Sequence, residues 1–346
     1  MKTKVILFSS DATPLYKGDV FRALALPEGQ TIQFRYPRQY VLQEYREKPA
    51  SLIGEEAVIF FLAGNDLSIP PDQRKLVPCP IRACLIEHAF QDPSTQQITL
   101  ILQLQSFVDC TLEKITALSS LPPQTFVTKA NLDDFREVEW LNRVKTVEQY
   151  FPQTLFYRIG AVLSESTTVH PTYSPNLRSS HYVLEEESEY SIECSYYDPA
   201  GGVTPLRIEL SAADVDIRNS FEWGGGAPLD TRRLPLTTRT LKSRSAPAYM
   251  KFYAGPKPAA APVTTATAST DPNYVEIHWR LSQKSFKPLT FGLFTVIGVI
   301  GLFIAQTALK TSKGDPLTNH DLALTLFGTL LAGLAAGLLF KFFNKI

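Results

Sequence analysis

The sequence predicts a mainly β protein with one long helix, built as two β-rich cytoplasmic units followed by a C-terminal two-helix transmembrane hairpin. Three observations predict this class. Apolar and polar residues alternate with a period of two along much of the chain, which is typical of strands with one buried face. Aromatic residues make up 11% of the sequence and prolines number 25, which favours sheets and turns. Two uncharged apolar runs lie near the C-terminus.

Residues 1–127 are expected to form an N-terminal β-rich domain. The continuous apolar run Ala57–Leu62 predicts a strand that is covered on both faces. Ile81–Phe90 and Gln97–Val108 predict a hairpin, because turn residues separate them and apolar residues alternate along the second arm.

One long helix is predicted from Leu132 to Tyr150, within a segment at residues 128–152. Asn131 is a candidate N-cap, apolar residues recur at every third position, and Pro152 would end the helix. We interpret it as a helix that packs on a sheet or bridges two β units. A partner-binding helix is the alternative.

Residues 153–286 are expected to form a second, sandwich-like domain, because short strands alternate there with turns. Within it, residues 255–272 are rich in proline, alanine and threonine, so they predict a disordered loop. The alternation resumes over Tyr274–Leu281, which makes the low-complexity stretch a loop between two strands of one sheet. That strand ends close to the first apolar run, so this domain is expected to be membrane-proximal.

Residues 287–346 predict the transmembrane hairpin, with spans at 288–309 and 322–340. Both runs have about the 20 uncharged, apolar residues that a helix needs to cross a bilayer core of about 30 Å. Two buried helices of a soluble domain are the alternative. More cations flank the hairpin than lie in its loop, which predicts a multi-pass protein of the cell (inner) membrane with both termini and the bulk of the chain in the cytoplasm. The lipid bilayer is then a partner.

Small residues on both runs are candidates for helix packing, since glycine lets helix backbones approach closely. Two alternatives stay open: packing within the hairpin, and contact between copies that produces a homo-oligomer. The candidate residues are Gly298 and Gly301 on the first run and Gly328, Gly333 and Gly337 on the second.

Two polar clusters are candidates for contact with other molecules. The first could attract anionic headgroups, although a solvated sheet face explains it as well; it comprises Arg232, Arg233, Arg239, Lys242 and Arg244. The second places arginine beside tyrosine, an arrangement that can stack on a ligand or partner but that strand alternation explains equally; it comprises Arg35, Tyr36, Arg38 and Tyr40.

The sequence contains no recognisable signature of catalysis. Glycine-rich phosphate loops, nucleophile elbows and zinc-protease helices are absent, the five histidines are isolated, and the four cysteines match no zinc or haem spacing. We therefore predict no enzyme activity, no catalytic residue, no metal and no cofactor. The net charge of zero disfavours nucleic acid as a partner.

Together these features predict a non-enzymatic membrane protein. Its cytoplasmic β-rich part would bind a protein partner or ligand, and its glycine-rich hairpin would oligomerise and perturb the membrane. This arrangement is similar to that of bacterial membrane effectors in anti-phage defence, which implies an antiviral role. A passive anchor or scaffold that presents a binding module is the alternative, and an enzyme with an unrecognised site is a third.

Overall fold

The computed structural model describes residues 2–64, 76–112, 125–151, 155–199, 204–210, 215–217, 220–223, 228–239, 248–254, 274–282, 288–311 and 322–333. The protein is mainly β, as its composition predicts. It divides into two compact units, Met1–Ser282 and Gln283–Ile346. The described strands all belong to the first unit, where they form three sheets.

The N-terminal sheet closes on itself. Its strand order is β2-β5-β4-β3-β1-β6, and β5 also pairs with β6, so five of the six strands form a ring. The pair β1 and β3 is parallel and the other pairs are antiparallel. The strands are β1 (Lys2–Ser10), β2 (Thr31–Pro37), β3 (Glu56–Ala63), β4 (Val77–Gln91), β5 (Gln97–Leu112) and β6 (Val127–Glu137).

Both faces of β3 are buried, as its continuous apolar run predicts. Val58, Phe60 and Leu62 point into a small core inside the ring. The alternate residues Ala57, Ile59 and Phe61 point outward from the ring and pack into the main core, which continues into the second half of the unit. Strand β3 thus buries one set of side chains in each of the two cores.

The long helix predicted over 132–150 is wrong. Residues Val127–Glu137 form β6, which pairs with β1 from Lys2↔Leu132 to Leu7↔Val127. Only α3 (Trp140–Val147) and a 3-10 turn at Glu148–Tyr150 are helical there. Pairing with a strand more than a hundred residues away outweighs the local three-residue periodicity, because it satisfies the backbone of β6 and buries Leu132 in the ring. The other short helices of this unit are α1 (Pro14–Ala25) and α2 (Gln43–Glu47).

The C-terminal end of α1 is held by a buried arginine of β4. Arg82 is 1% exposed, and its Nη1 donates to the carbonyl oxygens of Ala23 (2.9 Å) and Leu26 (2.6 Å). Its Nε donates to the carbonyl oxygen of Gln105 at 2.5 Å, and the guanidinium lies 4.3 Å from the centroid of the Phe107 ring. Burial lowers the pKa of Arg82 to about 9, so the side chain stays charged at neutral pH and complements the helix dipole.

The rest of the first unit is a β-sandwich. A six-stranded sheet has the order β14-β12-β16-β17-β10-β9, and a five-stranded sheet has the order β13-β15-β11-β7-β8. The Tyr157 hydroxyl of the second sheet donates to the Phe252 carbonyl oxygen of the first at 2.9 Å. The strands are β7 (Phe156–Ser164), β8 (Thr167–Val169), β9 (Thr172–Ser174), β10 (Ser179–Glu185), β11 (Glu189–Tyr197), β12 (Thr204–Leu210), β13 (Val215–Ile217), β14 (Ser220–Trp223), β15 (Leu229–Thr238), β16 (Ala248–Ala254) and β17 (Tyr274–Ser282). The loop predicted at 255–272 lies outside the described residues.

The predicted transmembrane hairpin is wrong. The second unit contains α4 (Pro288–Thr311) and helical residues 322–333, but no helix within the described part of the chain has the length and apolar character required to cross a membrane.

The predicted multi-pass location in the cell membrane is wrong for the same reason. The similarity to membrane effectors of anti-phage defence depended on the hairpin, so the implied antiviral role loses its basis.

Candidate binding face

Strands β16 and β17 place a set of aromatic and charged side chains on the outer face of the six-stranded sheet. Alternate residues such as Phe252, Ile277 and Trp279 point inward and are buried. Their neighbours lie on the opposite face, because side chains along a strand alternate between faces. We call the following outward-facing set the Tyr–His face: Tyr249, Lys251 and Tyr253 on β16, Tyr274, Glu276 and His278 on β17, and His181 and Val183 on β10.

Aromatic rings and a lysine contact one another across the two strands of the Tyr–His face. The Lys251 ammonium lies 4.9 Å from the Tyr249 ring centroid and 5.4 Å from that of Tyr274. The Tyr253 and Tyr274 rings are 5.8 Å apart. Such cation–π and ring contacts hold the side chains in defined positions on the sheet.

A carboxylate in the centre of the face connects Lys251 to His278. Glu276 Oε2 lies 3.7 Å from Lys251 Nζ, and Glu276 Oε1 lies 3.2 Å from His278 Nε2. The His278 ring also meets the Tyr249 ring edge-on, with the centroids 6.4 Å apart. The face therefore offers aromatic surface together with polar groups of both signs.

Two histidines are neighbours on this face, because β10 and β17 are parallel and His181 is the register partner of His278. Burial lowers the pKa of His278, and Glu276 opposes that effect. Burial also lowers the pKa of His181, and the charges of Arg280 and His278 lower it further. Both imidazoles are thus neutral at pH 7.

The predicted cluster Arg35, Tyr36, Arg38 and Tyr40 does not form one contact surface. Tyr36 is buried and its hydroxyl donates to the Phe8 carbonyl oxygen at 3.2 Å, so it belongs to the core. The Tyr40 ring packs edge-on against Phe126, with the centroids 5.2 Å apart. Of these four residues, only Arg35 and Arg38 are exposed.

The described members of the cationic cluster on β15 and just beyond it are each paired with a carboxylate. Arg232 Nε lies 2.8 Å from Asp230 Oδ2, Arg233 Nη2 lies 2.8 Å from Glu193 Oε1, and Arg239 Nη2 lies 3.3 Å from Asp216 Oδ2. Their charges are therefore balanced locally. Lys242 and Arg244 lie outside the described residues.

Two of the predicted packing glycines face each other in the second unit. A Cβ atom on Gly301 would lie 2.7 Å from the Gly328 carbonyl oxygen, so the absence of side chains allows the two helices to touch. A Cβ atom on Gly333 would meet no atom within 4 Å. Gly298 lies on α4, three residues before Gly301, and Gly337 lies outside the described residues.

The sequence analysis did not identify the Tyr–His face as a candidate site. The alternation over Tyr249–Ala254 and Tyr274–Leu281 correctly places the relevant residues on one face of each strand. It does not reveal that β16 and β17 are neighbours, or that β10 joins β17 in parallel. His278 and His181 are 97 positions apart in the chain (278 minus 181), so only the sheet brings them together.

The comparisons with known proteins identify no family. No family model matches the sequence, and no curated protein matches it. Among solved structures, the crystal structure of a FixG-related protein from Vibrio parahaemolyticus is similar over 38% of this chain and 96% of its own chain, with 12% sequence identity and a TM-score of 0.21.

Proposed function

We propose that this chain is a non-enzymatic binding protein whose β-rich unit binds a protein partner through the Tyr–His face. The observation that supports this proposal is the contiguous set of Tyr249, Lys251, Tyr274, Glu276 and His278 on two neighbouring strands. Tyrosine is enriched in protein interfaces because its ring provides apolar area and its hydroxyl a hydrogen bond.

A protein fits the chemistry of this face better than a nucleic acid. A nucleic acid is recognised chiefly by unbalanced cationic charge against phosphate. Here Lys251 lies close to Glu276, and the outward-facing Arg280 of β17 and Glu185 of β10 have opposite charges, so the face has no strong single sign. Side chains that already contact one another lose less rotamer freedom on binding, which favours affinity.

Site-directed photo-crosslinking tests the proposal. A photo-reactive amino acid would replace Val183, which lies on this face and is 42% exposed, and the full chain would be irradiated in the cells that make it. The matched control carries the same probe at Ile53, which is 44% exposed and lies outside the sandwich. We expect a discrete adduct from position 183 only, and its purified protein partner should bind the natural chain in a titration.

Substitution of the rings separates recognition from chance proximity. Tyr249→Ser should weaken binding of the captured protein at least tenfold, since aromatic residues at the centre of an interface commonly contribute 2 kcal/mol or more, as an order of magnitude. Equal adducts from both probe positions, or unchanged affinity in Tyr249→Ser, would contradict the proposal.

We also propose that the second unit joins copies of this chain into a homo-oligomer. Large apolar side chains of both helices are exposed, among them Phe303 (70%), Leu330 (65%) and Leu326 (61%). Extended apolar surface marks an interaction site in most proteins, and closed assemblies of identical chains are the commonest outcome.

Sedimentation of the full chain measures this self-association. Leu326→Glu with Leu330→Glu should shift the protein to monomer, because association would bury unpaired charges. Leu15→Glu is the matched control, since Leu15 is 62% exposed on α1 in the first unit. A natural chain that stays monomeric at all concentrations would refute the proposal.

A further inference from the structure

Lys251 lies at the centre of an array of six side chains on the Tyr–His face. The array consists of three register pairs across β16 and β17, which are Tyr249 with His278, Lys251 with Glu276, and Tyr253 with Tyr274. All six side chains share the outer face, because they occupy alternate positions along the two strands. Lys251 therefore has an aromatic residue on either side of it along its own strand and a carboxylate opposite.

The array surrounds the Lys251 ammonium with groups that attract a cation. Its Nζ lies 4.9 Å from the centroid of the Tyr249 ring and 5.4 Å from that of Tyr274. Both distances are within the range of about 6 Å over which an aromatic ring attracts a cation. Glu276 adds a negative charge, since its Oε2 lies 3.7 Å from Nζ. Two rings and a carboxylate thus converge on one position that stabilises positive charge.

Lys251 can leave this position at little cost. The separation of 3.7 Å from Glu276 is longer than a hydrogen bond, and the two side chains are 24% and 26% exposed, so water screens the pair. A lysine side chain is flexible and its ammonium is strongly hydrated, which allows it to extend into solvent. Burial lowers the pKa of His278, so its imidazole is neutral at pH 7. Without Lys251, the array would therefore combine aromatic rings with one negative charge.

We propose that the protein partner inserts an arginine side chain into this array and displaces Lys251, an inference that rests on the proposed function of the Tyr–His face. A guanidinium is planar and weakly hydrated, so it can stack on a tyrosine ring and donate two N–H groups to the Glu276 carboxylate. A lysine of the partner would only reproduce the contacts of Lys251. Lys251 thus acts as an internal competitor that selects for a guanidinium over an ammonium.

Titration of the full chain with N-acetyl-arginine amide tests this site, with binding followed by saturation-transfer NMR of the small molecule. N-acetyl-citrulline amide is the neutral control, since it has the planar shape of arginine without the charge. Lys251→Thr removes the internal competitor and retains a residue that favours strands. We expect it to bind the arginine compound about tenfold more tightly than the natural chain does, and to bind the citrulline compound no more tightly.

Further variants assign the gain in affinity to the array. Adding Glu276→Gln to Lys251→Thr should remove most of the gain, because the carboxylate charge is lost. Lys129→Thr is the matched control and should leave the affinity unchanged; Lys129 also lies on a strand, and its Nζ is 3.9 Å from Glu55 Oε2. If Lys251→Thr fails to fold, Lys251→Gln keeps most of the side-chain length without the charge and should raise the affinity in the same direction.

The arginine compound should also compete with the protein captured by the Val183 probe for the natural chain, whereas the citrulline compound should not. Equal affinity of the arginine compound for the natural chain and Lys251→Thr would overturn the proposal, as would equal binding of the two compounds or an absence of competition. A discrete adduct from position 183 alongside any of these results would refute the arginine site and leave the proposed function standing, because crosslinking does not depend on which partner side chain binds.

Discussion

A Cβ atom on Gly328 would lie 2.5 Å from the carbonyl oxygen of Gly301 and 2.8 Å from the backbone nitrogen of Ala305. These distances are shorter than real Cβ contacts, and the contacting atoms belong to the backbone, which cannot rotate away as a flexible side chain could. The two helices of the second unit therefore touch through glycine, and any larger residue at either position must push them apart.

Gly328→Ala should separate the two helices, whereas Gly333→Ala should not, because a Cβ atom on Gly333 meets nothing within 4 Å. Both substitutions raise intrinsic helix propensity equally, which makes them a matched pair. Spin labels at Ile300 and Leu330, both exposed, would report the interhelical distance. We expect a longer and broader distance distribution for Gly328→Ala alone, and identical distributions in the two variants would disprove the contact.

Arg82→Met should destabilise the first unit by about 3–5 kcal/mol, because it leaves two buried carbonyl oxygens and one partly buried carbonyl oxygen without their donor. Urea unfolding measures this loss. Arg233→Met, on the exposed face of β15, should change the free energy of unfolding by less than about 0.5 kcal/mol. A loss as small as that for Arg82→Met would show that Arg82 is not needed to cap α1.

Stability should decrease on acidification as the histidines of the Tyr–His face are forced to titrate. Burial lowers the pKa of His181 and His278 below the ordinary value of 6.5. Between the folded and the ordinary pKa, the unfolded chain binds more protons, so the free energy of unfolding falls as the pH drops below about 6.5. Urea unfolding at pH 7.5, 6.5 and 5.5 measures the slope.

The double variant His181→Gln with His278→Gln isolates this contribution from the carboxylates, which titrate in both proteins at lower pH. We expect the double variant to lose less stability between pH 7.5 and 5.5 than the natural chain. Parallel pH profiles for the two proteins would show that these imidazoles do not resist protonation.

The four cysteines should be inert toward a thiol reagent in the folded protein. All four are free and buried. Burial raises the pKa of Cys84 and of Cys110 to about 12, so almost none of either thiol is ionised at pH 8, and the thiolate is the reactive form. Ellman's reagent should titrate no thiol in buffer and four in urea. Rapid reaction without urea would contradict the burial and would also rule out labelling through added cysteines.

The local pattern of apolar residues was sufficient to predict strands such as β3 and β17, because it reflects whether one or both faces of the strand are buried. The run over Ala57–Leu62 contains only apolar residues because both faces of β3 are covered, and the alternation over Tyr274–Leu281 reflects a strand with one buried face. The helix predicted over 132–150 shows where this reasoning fails. Apolar residues at every third position are compatible with one long helix and also with a strand followed by a short helix. Pairing with β1 favours the second arrangement.

By itself, the sequence determined that the protein is mainly β and which residues point inward in strands with clear alternation, such as β17, because the period of apolar residues is a property of the strand itself. Only the tertiary structure decided which strands are neighbours. It therefore placed His181 beside His278, closed the N-terminal sheet through β5 and β6, and put Arg143 and Arg136 on the same carboxylate. These relationships join residues far apart in the chain. They arise from backbone hydrogen bonds and packing between distant segments, which the pattern within one segment does not specify.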